Sequence, residues 1–309
     1  MKNQKNQTSK TPRAPHALRT LRTLLASALS VVLIVSLSVL LTACGNSGTT
    51  ASGTGTTDGS TAGTDTALRV LKVGASPSPH AEILSFVKDD LKAQGIDLQV
   101  VEFTDYVTPN TAVEAGEIDA NYFQHLPYLE DFNKENGTSV VSVVTVHFEP
   151  LGIYAGKTTA LADLPDGAKI ALPNDTTNEA RALQLLAANG LITLPADADL
   201  TITPRDIVEN PKNIQFVEVE AASVPIQLAE VDLGVINGNY ALDAQIPDTA
   251  RLASEDTDSL AAQTYANILA VKQGSESNAD IQALIQALTS SKTRDFIDTT
   301  YKGVVVPVF

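Results

Sequence analysis

The chain has 309 residues, a formal net charge of −15 and 43% hydrophobic residues, with one cysteine and no tryptophan. That length accommodates one large domain or two lobes, and so acidic a balance argues against nucleic acid and anionic lipid surfaces as partners. A single cysteine excludes an internal disulfide framework, so a hydrophobic core must stabilise the fold.

Residues 1–23 carry Lys2, Lys5, Lys10, Arg13, Arg19 and Arg22 with no acidic residue, and residues 24–41 are apolar apart from four serines. A cationic start, an apolar run and small residues at its end describe a secretory signal, predicted over 1–43. An uncleaved membrane anchor is the alternative, because the run approaches the minimum span. The run closes on Leu41-Thr42-Ala43-Cys44-Gly45, which resembles the lipobox of bacterial lipoproteins. That resemblance implies cleavage before Cys44, acylation of its thiol, and a protein held by lipid on the extracytoplasmic face of the cell membrane. Losing residues 1–43 removes six positive charges and takes the net charge from −15 to −21. Residues 45–66 contain only Gly, Asn, Ser, Thr, Ala and two Asp. With nothing to bury, 44–66 reads as a flexible tether with an r.m.s. span of roughly 25 Å.

From residue 68 strand and helix patterns alternate. Strands are predicted at 68–75, 98–103, 140–146, 152–155, 169–172, 214–219, 233–236 and 266–271. The first helix is expected to be capped by Ser78 with Pro79 at its first position. Ile83, Leu84, Val87 and Leu91 supply its buried stripe, and Gly95 stops it. Further helices are predicted near 112–116, 128–136, 178–189, 203–209, 224–229 and 278–300. This alternation argues for α/β lobes with mainly parallel sheets. Polar breaks near 147–151 and 237–240 mark candidate crossings between two lobes.

Aromatic residues make up 5% of the chain, yet Tyr122, Phe123, His125 and Tyr128 fall within seven residues. Pro127 discourages helix before it and permits one after it, so residues 121–126 are predicted to be a loop feeding a helix. Such loops hold ligands in open α/β sheets; plugging core with Phe123 and Tyr128 is the alternative. Arg181 lies in the opening turn of a predicted helix, where a cation opposes the helix dipole. A bound carboxylate would resolve that conflict, and so would a salt bridge to Glu179, Asp175 or Asp206. Asn237 ends the apolar strand 233–236 and can accept from an ammonium or cap a turn. Acidic residues 255–258 read as solvated surface.

Once His16 leaves with the signal, His80, His125 and His147 remain. None sits by a serine nucleophile elbow, a zinc-protease pair or a Walker loop, and zinc would want a paired spacing that they lack. An exported hydrolase and a metal receptor are therefore the rival classes to a binding protein.

One ordered set of segments is specific: residues 103–110 (FTDYVTPN), 116–129 (GEIDANYFQHLPYL), 147–154 (HFEPLGIY), 172–183 (LPNDTTNEARAL), 208–213 (VENPKN) and 235–241 (VINGNYA). Together they resemble the MetQ/NlpA family of methionine-binding lipoproteins, the receptors of methionine ABC importers. The resemblance implies a two-lobed periplasmic-binding-protein fold, with 67–147 plus 241–309 as one lobe and 148–240 as the other. It implies that Tyr106, Phe123, His125 and Tyr128 surround the thioether of L-methionine. Arg181 would bind its carboxylate, Asn237 would take the strand-end role, and Asn178 would add a polar contact. Glu149-Pro150 departs from the Tyr-Pro of some members. An ABC permease is the implied partner, with no cofactor, metal or catalytic residue. A methionine-containing dipeptide or another apolar amino acid is the nearest rival ligand.

Overall fold

The computed structural model describes residues 67–257 and 260–309. The predicted signal, Cys44 and the tether lie outside them. In chain order the first half runs β1 (Arg69–Ala75), α1 (Glu82–Lys92), β2 (Ile96–Glu102), α2 (Thr108–Ala115), β3 (Ala120–His125), α3 (Leu126–Asn136), β4 (Val140–Phe148), β5 (Gly152–Ala155) and β6 (Lys169–Pro173). It continues through α4 (Thr176–Ala188), β7 (Gln215–Val219), α5 (Val224–Gln227), β8 (Leu233–Ile236), α6 (Gly238–Asp243), β9 (Arg251–Ser254) and α7 (Leu260–Thr264). The last elements are β10 (Asn267–Lys272), α8 (Ala279–Leu288), α9 (Ser291–Tyr301) and β11 (Val306–Pro307).

α1 forms because its apolar residues recur at helical spacing: Ile83, Leu84, Val87 and Leu91 are all fully buried in the core beside β1 and β2. The chain then turns at Gly95, whose φ of +77° suits glycine. Ser78 does not cap this helix. It is extended (φ −127°, ψ 140°), the conformation that a following proline imposes, and a separate turn over Pro77–Ala81 precedes α1.

Two sheets result, in the orders β11-β4-β10-β3-β1-β2 and β7-β6-β8-β5-β9. Their strands are mixed, so the α/β expectation holds and that of mainly parallel sheets is met only in part. β1 runs parallel to β2 and β3, while β10 is antiparallel to β3 and β4, and β11 to β4. In the second sheet β6 is parallel to β7 and β8, and β5 is antiparallel to β8 and β9. Alternation of strand and helix signals parallel pairing only where a helix joins two neighbours. β4 leads directly across to β5, and β10 follows the return crossing, so neither obeys that rule.

β9 pairs with β5, so the chain returns to the first sheet after residue 254 rather than at 241. The outward crossing is Glu149-Pro150-Leu151. The two crossings are tied together: Glu255 N–H donates to the Leu151 carbonyl at 3.0 Å, and Leu151 N–H donates to Glu255 Oε2 at 2.8 Å.

Three further expectations shift. Residues 120–125 are not a loop but the central strand β3, buried throughout. Its polar residues are satisfied internally, since Gln124 and Asn121 both donate to Asn110 Oδ1, at 2.7 and 2.8 Å. The helix expected at 203–209 is one turn, Pro204–Asp206, capped by Thr203; Val208 beyond it is exposed, so no apolar face sustains a helix. The helix expected over 278–300 divides into α8 and α9, because Ser290 accepts from Thr293 N–H and starts a second helix.

Candidate binding cleft between the two sheets

Every ligand-site residue predicted from the sequence lines one cleft. Tyr106 (between β2 and α2), Phe123 and His125 (β3) and Tyr128 (first turn of α3) approach from the first sheet. Asn178 and Arg181 (α4) and Asn237 (end of β8) approach from the second. Gln124, Glu149, Gly238, Asn239 and Asn267 complete the lining.

The apolar end is an aromatic slot. Tyr106 lies 5.7 Å from both Phe123 and Tyr128 between ring centroids, and Phe123 meets Tyr128 edge-on at 6.2 Å. Hydrogen bonds fix the walls: Tyr128 Oη donates to the Tyr106 carbonyl at 3.0 Å, and Tyr106 Oη donates to Asn239 Oδ1 at 2.6 Å. The second bond spans the cleft, as does Tyr240 Oη to the Thr104 carbonyl at 3.2 Å.

His125 sits at the N-cap of α3, where Nδ1 accepts from Tyr128 N–H at 3.2 Å. Nε2 therefore carries the proton and donates to Asn178 Oδ1 at 3.3 Å. Burial, with Arg181 nearby, lowers its pKa to about 3, so it is a neutral donor. Asn178 Oδ1 also accepts from Asn237 Nδ2 at 2.8 Å, and Asn178 Nδ2 donates to Asp175. Asn178 is thus a joint between His125 and Asn237.

Arg181 combines the two alternatives that the sequence left open. It is in a part-buried ion pair and it also lines the cleft. Its partner is none of the acids expected: Asp175 caps α4, Asp206 serves Thr203, and Glu179 faces Glu218, with burial and that carboxylate raising it to about 8. The partner is Glu255, predicted to be solvated surface and instead partly buried on the return crossing, its side chain 9% exposed. Arg181 Nε donates to Glu255 Oε1 at 2.7 Å, and Nη2 to Oε2 at 2.5 Å and to the Glu149 carbonyl at 3.0 Å. The guanidinium lies 4.2 Å from the Tyr265 ring centroid. Nε and Nη2 are used, while Nη1 has no partner among the described residues. That edge of the fork is the one available to a ligand.

Two side-chain atoms of the lining are buried without a partner among the described residues, the acceptor Asn237 Oδ1 and the donor Asn239 Nδ2. Such groups are costly unless something completes them. Beside them stands Glu149. His147 Nε2 lies 2.7 Å and His80 Nε2 3.3 Å from its Oε1. His80 Nε2 is also 3.0 Å from Asn267 Oδ1, and His147 Nδ1 meets the Tyr122 hydroxyl. Histidines that look dispersed in sequence therefore converge, with their ring centroids 4.9 Å apart. These three side chains are the only described group whose ligand atoms cluster closely enough for a metal ion. Yet 2.7 Å is a hydrogen-bond distance, whereas two ligands on one tetrahedral zinc stand about 3.3 Å apart. Donation from His147 to the carboxylate and from His80 to Asn267 accounts for the cluster.

Sequence reasoning missed Glu149 and Asn239 as lining residues. Signals for both were present, since Glu149 departs from the family's Tyr-Pro and Asn239 lies in the NGNY segment beside Asn237.

Comparison with known proteins agrees with this architecture. The family model described as NlpA lipoprotein matches residues 71–309. The methionine-binding lipoprotein MetQ of Bacillus subtilis is 41% identical over 255 residues, covering 81% of this chain and 92% of that protein. The crystal structure of a lipoprotein from Ruminococcus gnavus superposes with a TM-score of 0.77 at 52% identity, over 78% of this chain and 100% of that one. A nutrient-binding protein from Burkholderia cenocepacia, solved bound to methionine, superposes with a TM-score of 0.73 at 40% identity, over 77% of this chain and 100% of that one. With its two mixed sheets enclosing a polar and aromatic cleft, the chain belongs to the NlpA lipoprotein family.

Proposed function

We propose that the protein binds L-methionine in this cleft and delivers it to an ABC importer. The observation that carries the reading is the pairing of an aromatic slot with an open edge of the buried Arg181 fork. Methionine needs both ends. Its thioether gains about 0.3–1.5 kcal/mol per favourable aromatic contact, and its carboxylate is met by a planar cation. Glu149 and Asn237 Oδ1 are the acceptors for its ammonium, and Asn239 Nδ2 is a spare donor for its carboxylate. The name of the Bacillus subtilis relative and the bound ligand of the Burkholderia protein support the same ligand.

The mechanism is hinge closure. Two crossings, at 149–151 and 255–266, join a first lobe of about 67–148 plus 267–309 to a second centred on 152–254. Tyr106–Asn239 and Tyr240–Thr104 latch the lobes, and the closed form is what a permease meets. No bond is made or broken in the ligand, so turnover is not expected. Cleavage of 1–43, acylation of Cys44 and a tether over 45–66 hold the receptor outside the membrane beside that permease. The charge pattern of 1–23 and the position of the single cysteine support this anchoring.

Protein purified from cells and denatured is expected to release methionine in about equimolar amount, read by mass spectrometry. Consistent release of a different amino acid, or of a dipeptide, would overturn the ligand assignment.

A further inference from the structure

We infer that His147, with His80 beside it, is a positioning residue for Glu149: a neutral imidazole donates to one carboxylate oxygen, holds the group ionised, and leaves its other oxygen for the ammonium of the ligand. This rests on the reading of the cleft as an amino-acid site.

The hydrogen-bond pattern fixes both tautomers. His80 Nε2 faces only acceptors, Asn267 Oδ1 at 3.0 Å and Glu149 Oε1 at 3.3 Å, so it carries a proton. His147 Nε2 faces Glu149 Oε1 at 2.7 Å and donates to it, which leaves Nδ1 to accept from the Tyr122 hydroxyl. His147 is thus the donor on Oε1, while His80 donates to Asn267 and stands 3.3 Å from the same oxygen. Oε2 lies instead against Gly238, where an added Cβ would stand 2.9 Å from it. Gly238 and Glu149 line the same cleft, so a side chain at 238 would occupy the approach to that oxygen.

Charge completes the argument. A buried carboxylate drifts towards its neutral form unless donors or cations oppose this. Burial does raise Glu149, while the charge of Arg181 and the Asn239 N–H oppose it. Burial also lowers His80 to about 4 and His147 to about 3, so both are uncharged at neutral pH. The cluster then carries one negative charge and attracts an ammonium. Two imidazolium ions there would repel it.

The other titratable groups that feel Glu149 are Asp243 and four tyrosines, Tyr106, Tyr122, Tyr154 and Tyr301. The tyrosines stay protonated, since burial raises all four. Asp243 is raised to about 6 by burial. It is common to every variant below, so differences between their pH profiles cancel it.

The sign follows from linkage. An ammonium at Glu149 favours the deprotonated cluster, so the bound form holds fewer protons and affinity falls as pH falls. Removing a donor raises the Glu149 pKa further and moves that acid limb to higher pH.

Methionine affinity measured from pH 8 to pH 4 tests this on wild type, His147→Phe, His147→Gln, Tyr122→Phe and Glu149→Gln. His147→Phe should move the acid limb up by about one pH unit. His147→Gln, which keeps an N–H at the Nε2 position but cannot titrate, should restore the wild-type limb. Should His147→Phe not fold, Tyr122→Phe removes only the hydroxyl that sets the tautomer, and should shift the limb the same way by less. Glu149→Gln should lower affinity at least tenfold at pH 8. An unshifted limb in both His147→Phe and Tyr122→Phe overturns the inference even where Glu149→Gln binds weakly. Wild-type affinity in Glu149→Gln overturns it by removing Glu149 from recognition. If wild type itself fails to bind methionine at any pH, the functional assignment falls first.

Discussion

Replacing Arg181 by alanine is expected to weaken methionine binding by about 2–5 kcal/mol, roughly thirtyfold or more in Kd. The size follows from burial: the carboxylate of the ligand enters a cleft where water cannot replace the guanidinium. Arg181→Lys should restore part of the loss at most. A lysine ammonium lacks the planar fork that holds Glu255 through Nε and Nη2 while presenting Nη1 to the ligand. Arg181→Ala also leaves the partly buried Glu255 without its cation, so the thermal midpoint should fall as well. The double variant Arg181→Ala/Glu255→Gln removes that charge, and should recover stability without recovering affinity. Calorimetry giving wild-type affinity for Arg181→Ala would reduce the residue to a purely structural ion pair.

Phe123→Ala is expected to cost about 1–3 kcal/mol of methionine affinity and to leave the weak binding of alanine nearly unchanged, because only the longer ligand uses that wall. Phe123 is also buried on the central strand β3, so truncation there lowers fold stability too. Phe123→Leu, which retains most of the volume, separates the two effects: stability should return while affinity stays reduced, since the aromatic edge is absent. Norleucine reports on sulfur directly. It keeps the shape of methionine and loses the polarisable atom, and should bind more weakly by about 0.3–1.5 kcal/mol per lost contact. Equal losses for methionine and alanine in Phe123→Ala would show that Phe123 supports the fold rather than the ligand.

The cleft was legible in the sequence to the extent that its residues are local. Phe123, His125 and Tyr128 in the aromatic run 122–128, Arg181 in the first turns of a helix and Asn237 at a strand end are each visible within a few positions, and all face one space, while Tyr122 of the same run packs into the core. What the sequence hides is long-range. The partner of Arg181 lies 74 residues away, and nothing about an acidic stretch distinguishes a partly buried Glu255 from solvated neighbours. His80 reaches Glu149 only because the turn Pro77–Ala81 and β4 meet in the fold. β3 was misread for a related reason. Asn121 and Gln124 look like loop residues until Asn110 is seen to satisfy them. The helical stripe of α1 has no such dependence, and its four apolar positions were identified from spacing alone. Strand direction is the remaining gap: periodicity identifies a strand and says nothing about which neighbour it pairs with, so β5 and β10 could not be recognised as antiparallel.

The most direct measurement is calorimetric titration of the purified, ligand-stripped protein with L-methionine, L-leucine and L-glutamate in turn. A slot that fits an unbranched thioether, closed by Arg181 at one end and rings at the other, predicts saturable one-to-one binding of methionine. Leucine should bind at least tenfold more weakly, because its branch clashes with the slot and leaves its end unfilled. Glutamate should scarcely bind, because its second carboxylate would be buried unpaired. Leucine or glutamate binding as tightly as methionine would contradict the account.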